Sequence, residues 1–86
     1  MKVNKKTILE NICYTELVYG RVNKKLKVNY SKQQIEAFIF KILSETAESS
    51  FTRSGKNYHV KNPARDIRVT INSSTFRVIT VDRINK

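Results

Sequence analysis

Proline occurs once, at Pro63, and glycine twice, at Gly20 and Gly55. With no Pro/Gly-rich linker, no repeat and no low-complexity stretch, the 86 residues read as one domain, residues 1–86, with a single small core. Dimerisation of two copies would add to that core, so a homodimer is compatible with the sequence. Cysteine is equally scarce. Cys13 stands alone, so no intramolecular disulfide can form. The leading segment MKVNKKTILENIC lacks the uninterrupted apolar stretch of a signal peptide, and the sequence therefore predicts a cytoplasmic protein. The most apolar run, Ile35 to Leu43, is broken by Glu36 and Lys41, which leaves no candidate membrane span and no expected membrane partner.

Several chemical signatures are also missing. No G-x-x-x-x-G-K, G-x-G-x-x-G or G-x-S-x-G occurs, so phosphate-loop, dinucleotide and serine-hydrolase readings have no support. Cys13 and His59, completed by Asp66 or Asp82, are the only residues that suggest zinc. They lack the C-x-x-C or H-x-x-x-H spacing of a metal site, and we expect neither metal nor cofactor.

Negative charge is the last scarcity, with 7 Asp plus Glu against 17 Lys plus Arg and a formal net charge of +10. A field of this sign draws polyanions: nucleic acid, an acidic protein surface or an anionic membrane. Solubility alone is the competing explanation.

What is present divides the chain into helices followed by strands. Ile8, Leu9, Ile12 and Cys13 recur at helical spacing and predict a first helix over about Thr7 to Tyr14, with Cys13 on its apolar face. Thr15 and Glu16 supply an N-cap and a first-turn acid for a second helix. Val18, Val22 and Leu26 continue it through Lys27, and Gly20 weakens it by about 1 kcal/mol relative to Ala. Ser-Lys-Gln-Gln from Ser31 is a capping box, and Ile35, Phe38, Ile39, Ile42, Leu43 and Thr46 trace the core face of a third helix. Phe40 lies on its far side and is expected to bury against the first helix.

After Glu48 the period changes from 3.6 to 2. A strand opens at Gly55, runs through Tyr58 and Val60 and closes at Asn62-Pro63; two more, Asp66 to Asn72 and Thr75 to Arg83, form a hairpin. Pairing Asn72 with Thr75 sets Ile71 against Phe76, Val69 against Val78 and Ile67 against Thr80 on the helix side. The other side then carries Thr70 beside Arg77, Arg68 beside Ile79 and Asp66 beside Val81. The expected fold is a two-layer α+β domain, with N-terminal helices packed on a C-terminal three-stranded antiparallel sheet.

The candidate binding residues are cations. Arg21, Lys24, Lys25 and Lys27 should form one patch on the second helix, Lys32 follows it, and Lys56, Arg68 and Arg77 come from the strands. Arg53, Lys61 and Arg65 add to the run around Lys56. Tyr19, Tyr30 and Tyr58 lie near these clusters and offer rings for base stacking, although packing is the commoner use of such rings. His59 invites acid-base chemistry, but strand alternation makes it an ordinary solvent-side residue, and no catalytic residue is assigned.

The segments YTELVYGRVNKKL, GKNYHVKN and VTINSSTFRVITVDRI together resemble an uncharacterised bacterial domain-of-unknown-function family of small basic proteins. That resemblance spans most of the chain and implies a bacterial or mobile-element origin, without an activity to carry over. FRVITVDRI also resembles the sheet strand of ribosome-dependent RNase toxins of the RelE type, whose opening strand this chain lacks. The sequence thus points first to non-enzymatic binding of nucleic acid or a nucleoprotein complex. An inhibitor docking in an acidic groove of a nucleic-acid-processing machine, such as a CRISPR effector, is the second reading. A metal-independent RNase using His59 with Arg68, Arg77 or Lys56 is the third.

Overall fold

The computed structural model describes residues 3–84, which form three α-helices, one short 3-10 turn and four strands. In chain order these are α1 (Lys5–Asn11), α2 (Glu16–Leu26), α3 (Lys32–Glu45), the turn Glu48–Ser50, then β1 (Phe51–Ser54), β2 (Asn57–Asn62), β3 (Ile67–Asn72) and β4 (Val78–Arg83). The strands make one antiparallel meander in the order β1-β2-β3-β4. The helices-then-sheet layout is the expected one, but the sheet has four strands instead of three. β1 escapes pattern reading because only Phe51 of its four residues is buried, as suits a short edge strand. It reaches β2 through Gly55-Lys56, a two-residue hairpin loop whose first position has φ +61°, the left-handed conformation that favours glycine.

α1 begins at Asn4, whose side chain accepts from the Thr7 amide, and it ends earlier than the apolar spacing predicts. Cys13 lies outside it, exposed, in a parallel bridge with Arg77. The Cys13 amide donates to Phe76 O and the Val78 amide donates to Cys13 O, each at 2.9 Å. The start of β4 would otherwise present unpaired backbone groups, and Cys13 satisfies them. Its role is therefore edge pairing through the backbone, and burial on a helix face is corrected.

α3 carries the predicted capping box in full: Ser31 Oγ accepts from the Gln34 amide, and Gln34 Oε1 accepts from the Ser31 amide. Ile35, Ile39, Ile42 and Leu43 are buried. At its C-terminal end the Lys5 ammonium donates to the carbonyls of Ser44 and Thr46, where the helix dipole favours a cation. Phe40, expected to bury against the first helix, is 46% exposed.

The core lies between this helical layer and one sheet face. Phe51, Val60, Val69 and Val81 form a buried row across all four strands, facing Ile8, Val18, Val22, Ile35, Ile39 and Ile42. This row corrects the expected hairpin register. Arg77 pairs its carbonyl with the Asn72 amide, Ile71 meets Val78, Thr70 meets Thr80, Val69 meets Val81, Arg68 meets Asp82 and Ile67 meets Arg83. The turn is two residues longer than the expected one, and Phe76 takes φ +60° within it. Ile79 is then the extra residue of a bulge opposite the Thr70–Ile71 step. The bulge reverses side-chain facing, so Val81 turns into the core while Thr80 and Asp82 turn to the face without helices.

Candidate functional site

α2 packs along β4, an outer strand of the sheet, and the two run in the same direction. Arg21 donates to the Ile79 carbonyl at 3.2 Å, and four residues on, Lys25 meets Asp82 at 2.7 Å. Val18, Val22 and Leu26 hold the helix on the core, which leaves Arg21, Lys24 and Lys25 exposed. These three cations and Thr80 line a groove of about 520 Å³. A neighbouring depression of about 380 Å³ shares Arg21 and adds Leu17, Arg77 and Ile79.

The charge balance of the groove is set by a single acid. Asp82 accepts from Lys25, and its other oxygen lies 3.7 Å from Arg68 Nη2. Arg68 stands diagonally across from Thr80 on the helix-free face. Arg68 Nε and Thr80 Oγ1 are both buried without a hydrogen-bond partner. Neither atom is reachable from solvent, so the donors open to an anion here are the exposed Arg21, Lys24 and Lys25.

The structure brings some of the predicted residues together and separates others. Arg21, Lys24 and Lys25 share the groove, Arg68 adjoins it through Asp82, and Arg77 lines the depression next to it. Lys27 leaves the helical patch, because it ends α2 in the left-handed conformation with φ 56° and ψ 47°. Lys32 is tied to Glu16 at 2.7 Å and stands 5.5 Å from the Tyr19 ring centre, on the α2–α3 side. Lys56 occupies the β1–β2 turn, where its carbonyl accepts from Ser73.

His59 shares the helix-free face with Arg68, placed opposite Thr52 and Thr70. Among the described residues no group of three or more His, Cys, Asp and Glu could hold a metal ion. Nor is any described helix long and apolar enough to cross a membrane.

Two of the tyrosines are engaged between helices. The Tyr19 hydroxyl donates to Glu36 Oε2 at 2.5 Å, and this bond, with burial and the carboxylate's charge, pushes its pKa up to about 12. Tyr14, whose hydroxyl donates to the Glu36 carbonyl at 3.3 Å, is pushed up to about 12 mainly by burial. Tyr58 lies against Phe76, with ring centres 6.3 Å apart. Tyr30 is different, since it lines an open depression near the C-terminal ends of α2 and β4.

Sequence reasoning found the cations of α2 but missed Thr80, Asp82 and the backbone contact at Ile79. All three depend on the bulge that sets how β4 faces. No curated protein and no solved structure matches the chain. The sequence model of one family matches residues 6–82, nearly the whole chain, and the chain therefore belongs to that family, described as Protein of unknown function (DUF3781).

Proposed function

We propose that this protein is a binding module for polyanions, nucleic acid foremost, held along the seam of α2 and β4. The observation that carries this reading is the groove of Arg21, Lys24, Lys25 and Thr80, with Arg68 and Asp82 beside it. Phosphate contacts need cations at this density, and the net charge of +10 steers a polyanion toward them.

Binding of short fluorescent single strands, duplexes and RNA at low ionic strength tests this. The double variant Arg21→Gln/Lys24→Gln should lose at least about tenfold in affinity and reduce the salt slope by about 0.7 on a single strand, or about 0.9 on a duplex, for each phosphate no longer neutralised. Lys41→Gln, an exposed cation on α3, should bind as the parent does. Unchanged affinity in the double variant would remove the seam as the binding surface.

A further inference from the structure

Past the cationic groove, α2 and β4 lead to the depression that Tyr30 lines, with a volume of about 400 Å³. Its floor is Leu26 and Ile67, each 4% exposed, and its walls are the half-buried Val28, Tyr30 and Phe38. The Tyr30 and Phe38 rings stand 5.8 Å apart at 60°. Tyr30 is held by its backbone, since its amide donates to Asn23 Oδ1 at 2.9 Å and its carbonyl accepts from Asn23 Nδ2 at 3.1 Å.

Two arginines edge this site. Arg65 is occupied by a bidentate contact with Glu45. Arg83 is exposed and has no acidic partner among the described residues. The depression therefore offers two half-buried aromatic rings, that of Tyr30 tied through its backbone, and the Arg83 guanidinium. That combination suits a flat aromatic body carrying a negative charge.

Its position narrows the choice. Arg83 is three residues beyond Thr80 on β4, roughly 10 Å along the strand and on the opposite sheet face, so a strand that meets both wraps the β4 edge over about three nucleotides at stacked spacing. A plain polyphosphate, or an acidic peptide without an aromatic side chain, would use the cationic groove and leave this site empty. A duplex keeps its bases paired and stacked, out of reach of a pocket. An unpaired nucleotide uses both sites, with its base among the rings and its phosphates on the cations.

We infer that the seam binds single-stranded nucleic acid, with one unpaired base lodged among Val28, Tyr30 and Phe38 and its flanking phosphates on Arg83 and the α2–β4 groove. This rests on the polyanion reading above.

The test measures binding of three probes with equal phosphate counts to the full chain: a single strand, the same strand made abasic, and a blunt duplex. The parent should bind the single strand about tenfold tighter than the abasic strand, the size of one stacking contact. Phe38→Leu, which keeps apolar bulk, should erase most of that preference while leaving abasic binding unchanged. Ala64→Leu, at an exposed residue on the rim, should do the same by narrowing the depression without touching the core. Equal affinity for all three probes, or a base preference that survives both variants, would overturn the inference and leave polyanion binding standing. Failure to bind any of the three would overturn both.

Discussion

Lys25 Nζ and Asp82 Oδ1 lie 2.7 Å apart across the seam of α2 and β4, and Arg68 approaches the second oxygen of the same carboxylate at 3.7 Å. Asp82, with a side chain only 15% exposed, thus holds two cations of the cluster proposed to meet phosphate. Removing its charge should release both. Asp82→Asn is expected to tighten binding of a phosphate backbone by about three- to tenfold, each unit of charge in a partly screened site contributing on the order of 1 kcal/mol. Lys25 is half exposed, so loss of the pair should cost stability by only about 0–1 kcal/mol. Anisotropy with a fluorescent strand, alongside a melting curve, reads both effects. Weaker binding in the variant would mean that Asp82 positions the cations instead of masking them.

The Tyr19–Glu36 contact predicts how the helical layer responds to alkali. Tyr19 is raised to about 12 by its hydrogen bond to Glu36, so the folded state holds the phenolic proton more tightly than the unfolded chain, whose ordinary value is 10.0. The resulting stability is fully present below pH 10 and is lost as pH rises toward 12. Tyr19→Phe should therefore lower the neutral plateau of a plot of Tm against pH and flatten its alkaline limb, the two proteins converging as pH approaches 12. Tyr14 keeps a similar limb of its own, being raised to about 12 chiefly by burial. A parent protein whose four tyrosines all titrate near pH 10 by tyrosinate absorbance would contradict this.

The two glycines should respond to alanine with opposite signs. Gly20 lies inside α2, and an added Cβ there meets nothing within 4 Å, so Gly20→Ala should stabilise by about 0.5–1 kcal/mol. Gly55 holds φ +61° in the β1–β2 turn, and Gly55→Ala should destabilise by about 1–2 kcal/mol although the space is open. Urea denaturation of the two variants distinguishes a conformational cause from a packing one.

The same contrast explains which parts of the fold were legible in the sequence. The capping box at Ser31 and Gln34 is written within four residues, and the core stripe of α3 follows it at an uninterrupted helical period. Gly55, Pro63 and the change of period likewise marked where strands begin and end. Alternation cannot reveal an inserted residue, so the bulge at Ile79 stayed hidden, and with it the facing of Thr80, Val81 and Asp82. Ile12 and Cys13 kept helical spacing, yet the unpaired edge of β4 drew Cys13 into a bridge 64 residues along the chain. The α2 cations were visible as local charge density. Their partner Asp82, 57 residues from Lys25, had no local signal, and neither did the pairing of Tyr19 with Glu36.

The most direct test of the central claim is the salt dependence of binding to a short fluorescent single strand. With Arg21, Lys24 and Arg83 each meeting a phosphate and Lys25 held by Asp82, log Kd should rise linearly with log salt with a slope of about 2, from about 0.7 per contact on a single strand. The Arg21→Gln/Lys24→Gln double variant should lower that slope by about 1.4. No measurable association of the parent protein at low ionic strength, or an affinity indifferent to salt, would contradict the account.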